Sequence, residues 1–285
     1  MDYSILPGPH RLTVAISLAL FVLRGVWRML DSPMNDRAWV KIVPHVNDTL
    51  LLLAAIGMLI VALADFSSGN LAFTARLLQD LTLGSTPPTN PETAHLLASL
   101  FRHKQYDLAY RTFLLTLTPQ EKDLSGFVFN GQFRQGPSGR RFDWMIRQQP
   151  GIVLTLPAGS ADSASGQGLL LEFGGTPVLR IGLEQNLLLP PGAYQLEFSA
   201  SATGAELPKS LLWAIDCIDP GQPVQRVEVP DGTYQNRTVR GAFTVPQNCP
   251  VQNLTLRTNA MVESWSSRYS GRVLFHSIRI SAVQS

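Results

Sequence analysis

Two long apolar runs open the chain, Leu12–Leu30 and Val46–Leu63, with a short polar and basic stretch between them. Each is about 18–20 residues, the length an α-helix needs to cross about 30 Å of hydrocarbon. The pattern predicts a two-helix transmembrane hairpin over residues 1–65, with spans over 11–30 and 46–64. Nothing later in the chain approaches that hydrophobicity. Residues 66–90 open with DFSSGN and end in the breaker run GSTPPTNP, and read as a juxtamembrane linker. Over 91–124 the apolar positions recur at helical spacing: Leu96, Leu97 and Leu100, then, after His103-Lys104-Gln105, Tyr106, Ala109, Tyr110 and Phe113. This predicts a short helical pair, with Thr89 or Asn90 as the cap and Pro91 at the first helical position.

From 125 to 285 the pattern shortens to alternating runs punctuated by Gly, Pro, Asn and Asp. The sequence predicts strands at Ile152–Leu156, Gly168–Phe173, Val178–Leu183, Gly192–Ala200, Leu211–Ile218, Gln225–Val229, Arg240–Val245, Asn253–Thr258 and Gly271–Ile280. Such spacing without intervening helices argues for an all-β antiparallel sandwich.

Charge sets the orientation. Arg24, Arg28, Arg37 and Lys41 cluster between the two runs, whereas the opposite side holds Arg11 and, further off, Arg76. The excess of basic residues predicts a cytoplasmic hairpin loop. Both termini and the soluble part are then expected in the periplasm of a bacterial inner membrane. Trp27 and Trp39 suit the interfacial belt. The formal net charge is +2, with Lys and Arg scattered, so no basic stripe of the kind a phosphate backbone requires is present, and nucleic acid is not an expected partner. Two cysteines occur, Cys217 and Cys249, both in strand-rich sequence. In an oxidising compartment they are expected to form a disulfide; the bland alternative is two buried thiols.

Candidate chemistry is sparse. His45 and Asp48 stand one helical turn apart at the start of the second run, and so share a face. They form a candidate polar site in the membrane, or else an interfacial cap in which the helix dipole favours Asp48. Sugar rings pack on aromatic faces, which singles out Trp144, Trp213, Trp265 and Tyr269. Alternation places Trp213 with Leu211, Ile215 and Cys217 on a core face. Trp265 and Tyr269 fall in the polar stretch ESWSSRYSG, so with Trp144 they are the candidate ligand-binding residues. No nucleophile elbow, phosphate loop or metal-spaced histidine set is present, and no enzyme activity, cofactor or metal is expected. Glycosidase chemistry needs two carboxylates across a cleft, which spacing alone does not supply.

Residues 10–63, through "HRLTVAISLALFVLRGVW" and "SPMNDRAWVKIVPHVNDTLLLL", resemble the first half of the SirB-type inner-membrane proteins. Those proteins usually have about four spans, so the resemblance implies that further copies or a partner complete the bundle in the lipid bilayer. Residues 92–282 resemble the C-terminal part of bacterial envelope proteins that set tetratricopeptide-type helices before a jelly roll. That jelly roll is similar to carbohydrate-binding modules. The resemblance rests on "FNGQF…PSGRRFDW" (Phe129 to Trp144), "LLLPPGAYQLEFSA", "LLWAIDC", "FTVPQNCPVQNLTL" and "GRVLFHSIRI". It implies a jelly-roll sandwich, a glycan or an envelope protein as partner, and a part in cell-surface polysaccharide production. His276-Ser277 replaces the acidic pair that helps hold calcium in such modules, and an imidazole is a poor calcium ligand. The expected function is therefore non-catalytic binding by an inner-membrane-anchored periplasmic protein. The alternative makes the hairpin the functional part and the sandwich an accessory.

Overall fold

The computed structural model describes Val22, Val46 and residues 74–78, 80, 82, 89–156, 168–260 and 268–283. Nearly all of the predicted spans 11–30 and 46–64 lies outside these residues, as do His45, Asp48 and Trp265; Val22 and Val46 are helical. Among the described residues no helix is long and apolar enough to cross a membrane. The chain divides into two compact units, Met1–Ser99 and Leu100–Ser285.

Helix α1 (Asn90–Arg102) starts at a reciprocal cap. The Thr89 amide donates to Glu92 Oε2 at 2.8 Å, and the Glu92 amide donates to Thr89 Oγ1 at 3.5 Å, satisfying donors a helix start leaves open. Lys104 takes a left-handed conformation (φ 57°) and the Gln105 amide bonds Leu100 O at 2.9 Å. This turns the chain into α2 (Tyr106–Leu115), so the break falls at the predicted tripeptide. A one-turn helix, α3 (Pro119–Lys122), follows a second capping box between Thr118 and Glu121.

Among the described residues, ten antiparallel strands then build two five-stranded sheets. They are β1 (Met145–Ile146), β2 (Ile152–Thr155), β3 (Leu169–Pro177), β4 (Leu183–Leu187), β5 (Gly192–Glu206), β6 (Leu211–Cys217), β7 (Pro223–Val229), β8 (Gly232–Val245), β9 (Gln252–Thr258) and β10 (Arg268–Ala282). The first sheet runs β1-β4-β9-β6-β7 and the second β2-β3-β10-β5-β8. The expected antiparallel sandwich is thus present. Alternation selects the core: β9 buries Gln252, Leu254, Leu256 and Thr258 and turns Asn253, Thr255 and Arg257 outward.

A file of aromatic rings crosses that core. Phe133 meets Trp144 at 5.3 Å between centroids, Trp144 meets Trp213 at 5.8 Å, and Trp213 meets Phe275 at 5.3 Å. At the rim, Cys217 closing β6 and Cys249 ahead of β9 form a disulfide with Cα atoms 5.5 Å apart. One strand expectation is corrected. Residues 178–182 are a loop that carries the chain from the second sheet to the first, and the strand begins at Leu183. Val178 and Ile181 are buried there because they fill the end of the sandwich without joining a ladder.

Candidate binding cleft

Two of the three aromatic candidates have no face to offer a ligand. Trp144 is fully buried; its Nε1 donates to Asn130 O at 3.2 Å and its ring lies in the aromatic file. Tyr269 is equally buried, its hydroxyl donating to Ser210 O at 3.2 Å and its ring 5.6 Å from Phe173. Burial pushes its phenol above the ordinary value. The physical reason is register: β10 starts at Arg268, so Tyr269 falls on an inward position where the polar sequence suggests an open loop. Both expectations are corrected accordingly, and Trp265 lies outside the described residues.

The outward face of the first sheet instead carries a cleft of about 430 Å³ whose lining includes Arg147, Arg180, Glu184, Asp216, Asn253 and Arg257. Its floor is polar because the same alternation that sends Leu254 and Leu256 inward sends Asn253, Thr255 and Arg257 outward. The register puts Asn253 opposite both Asp216 on β6 and Asn186 on β4, and Thr255 opposite Glu184.

Cross-strand bonds lock these groups in place. Asp216 Oδ1 accepts from Arg226 Nη2 at 2.6 Å and its Oδ2 from Arg257 Nη1 at 3.1 Å. Glu184 Oε1 lies 3.1 Å from Arg147 Nη2, and its Oε2 accepts from Asn253 Nδ2 at 3.0 Å. Asn186 Nδ2 donates to Asn253 Oδ1 at 3.4 Å and its own carbonyl accepts from Arg141 Nη1 at 3.2 Å. Burial pushes the Arg141 guanidinium below its ordinary value, Arg147 adds to that effect, and Glu184 opposes it. Thr255 also lines the cleft, with its Oγ1 buried and without a hydrogen-bond partner among the described residues. Such a surface suits binding: donors and acceptors are held rigidly, so ordering them adds little entropy cost when a ligand arrives.

The cleft draws on four separated stretches of chain, which is why no local motif announces it. The alternation of Asn253-Leu254-Thr255-Leu256-Arg257 is the one signal of a polar outer face, and it marks half the floor at most. On the second sheet His276 Nε2 lies 2.7 Å from Ser201 Oγ, which accepts from the Asn236 amide at 3.0 Å. We assign the Ser201 proton to the imidazole nitrogen, a pairing that suits the neutral ring, since burial lowers the His276 pKa. Among the described residues no group of three or more His, Cys, Asp or Glu is placed to hold a metal ion.

Residues 3–78 match a family model described as SirB, invasion gene expression up-regulator. Protein SirB2 of Salmonella typhimurium (strain LT2) is 42% identical over 60 residues, covering 21% of this chain and 46% of that protein. Protein YchQ of Escherichia coli (strain K12) is 38% identical over 58 residues, covering 20% and 45%. The SirB-type resemblance of the N-terminal segment is therefore present, and the chain spans a little under half the length of these relatives. Among solved structures, one described as "CBM4 structure and function" covers 55% of this chain and 99% of its own, at 13% identity and a TM-score of 0.40. The CBM22-1 xylan-binding domain of Paenibacillus barcinonensis Xyn10C covers 54% and 93%, at 13% identity and 0.37. TmCBM61 in complex with β-1,4-galactotriose covers 56% and 99%, at 14% identity and 0.36.

Proposed function

We propose that this chain is a non-catalytic binding protein, anchored in a bacterial inner membrane by its N-terminal hairpin, whose sandwich works in the periplasm and holds a glycan on the outer face of the first sheet. The observation that carries the reading is the pre-ordered polar cleft over β4 and β9, with both its carboxylates tied into ion pairs. The paired cysteines support an oxidising compartment, and the basic residues between the apolar runs support a cytoplasmic hairpin loop.

Two measurements test this. An alkaline-phosphatase fusion at the C-terminus is expected to be active; an inactive fusion, with a fluorescent cytosolic tag lit in its place, rejects the periplasmic assignment. The full chain in zwitterionic nanodiscs, probed on a glycan array, is expected to retain at least one polysaccharide and to lose it on Asn253→Ala. Retention of none rejects the glycan.

A second reading is favoured by the family match, which lies wholly within residues 3–78. In it the hairpin, with His45 and Asp48 as its polar site, is the functional part. Complementation of a deletion strain separates the two: His45→Ala and Asp48→Ala then abolish rescue, while removal of 125–285 does not.

A further inference from the structure

From the balance of donors and acceptors in the cleft we infer that its ligand is an acidic polysaccharide, one bearing carboxylates along the chain, recognised by Arg147, Arg180 and Arg257. This rests on the glycan reading above and names its ligand class. The charged acceptors in the cleft are already paired. Glu184 Oε1 is ion-paired with Arg147, and Glu184 Oε2 and both oxygens of Asp216 already accept hydrogen bonds from protein donors. The donors are not spent. A guanidinium carries five N–H groups, and Arg147 and Arg257 each commit one nitrogen to a carboxylate.

Arg180 is exposed, lines the cleft, and has no ion pair among the described residues. Just beyond the lining, Arg141 is half-buried with its guanidinium 5.0 Å from the Phe101 ring centroid. Its hydrogen bond goes to the neutral Asn186 amide. Counting Arg141 and Arg226 with the three lining arginines gives five guanidiniums against three carboxylates, Glu184, Asp216 and the exposed Glu228, around that sheet face. A neutral sugar hydroxyl both donates and accepts, and grips best with its ring stacked on an aromatic face. No aromatic residue lines the cleft among the described residues. A carboxylate only accepts, and it matches the planar fork of arginine in bidentate geometry. A non-aromatic cleft with three guanidiniums, one of them unpaired among the described residues, against two carboxylates that are already ion-paired therefore selects the anion.

The test uses the full chain in zwitterionic nanodiscs, immobilised and titrated with polygalacturonate, its methyl-esterified form and neutral β-1,4-galactan, against empty nanodiscs. Polygalacturonate is expected to bind the protein discs alone, with esterification weakening it about tenfold or more, as expected for lost charge-assisted bonds. Arg180→Ala, which removes no structural bond, and Arg257→Ala are each expected to weaken it severalfold. Arg240→Ala and Arg279→Ala, on the other sheet, are expected to leave it unchanged. Equal binding of the esterified or neutral chains overturns the acidic class while leaving a glycan site standing. Equal loss in the Arg240 and Arg279 variants overturns the cleft as the locus. Silence from all three polymers overturns the glycan reading and this inference with it.

Discussion

Glu121 serves two partners at once: its Oε2 accepts the Thr118 amide at 2.8 Å in the α3 capping box, and its Oε1 takes the guanidinium of Arg140, whose side chain is 1% exposed. Arg140 also donates to Thr116 O at 3.3 Å and to Ser138 Oγ at 3.1 Å, and lies 5.4 Å from the Phe113 ring centroid. Ser138 in turn donates from Oγ (2.6 Å) and from its amide (2.8 Å) to the buried Asp143 carboxylate. Burial pushes Asp143 upward, and the Ser138 and Trp144 donors, with the charge of Arg140, pull it back. The end of the helices and the segment leading into β1 are thereby joined by one buried polar network.

Breaking that network from one side is expected to cost more than removing the pair. Arg140→Met leaves Glu121 without its buried cation and is expected to lose about 3–5 kcal/mol. Arg140→Met with Glu121→Gln is expected to recover part of it. Urea unfolding of the four members of the cycle measures the difference, and a strictly additive cycle would refute the coupling.

Gly131 explains why an Asn-Gly dipeptide opens the FNGQF stretch. Its carbonyl accepts the Ile278 amide at 2.7 Å, and a Cβ placed on it would stand 2.2 Å from Ile278 O. The opening segment thus lies against β10 backbone to backbone. Gly131→Ala is expected to destabilise the sandwich by about 1–3 kcal/mol through overpacking. The denaturant midpoint reads it, and an unchanged midpoint contradicts the close approach.

Reduction of Cys217–Cys249 is expected to cost about 2–4 kcal/mol, since the bond closes a loop spanning 32 positions in sequence. Thermal unfolding with and without a phosphine reductant measures it. Maleimide labelling of the denatured protein should require prior reduction; labelling without it would mean free thiols.

His276 makes stability depend on pH in a defined window. Its folded pKa lies below the ordinary value of 6.5 because of burial. The unfolded chain therefore takes up a proton first, and stability falls as pH drops through and below about 6.5. Glu197 acts lower. The hydrogen bond from Arg240 holds its pKa under the usual 4.5, and the stability it contributes is lost only as pH falls beneath that value. Urea midpoints between pH 8 and about 2.5 should show both phases, and His276→Asn should remove the upper one alone.

The strands that were legible are the alternating β2 and β9 and the almost wholly buried apolar run β6, which start and end within a residue or two of expectation. β1 escapes because two residues, Met145 and Ile146, carry no period. The stretch 178–182 misleads because an apolar crossover between sheets looks like a strand when only hydrophobicity is visible. Tyr269 misleads in the opposite sense, since polar neighbours hide its place at the inward start of β10.

By itself the sequence determined what depends on neighbours along the chain: two membrane-length apolar runs, the cap of α1, the break at His103-Lys104-Gln105, and a sandwich built from alternating segments. Only the tertiary structure decided which outward residues meet. Strand order in the first sheet sets Glu184, Asn253 and Asp216 side by side although the sequence separates them widely. Pairing register is settled by the burial of the opposite face, so the cleft is a consequence of packing and was readable only once the packing was known.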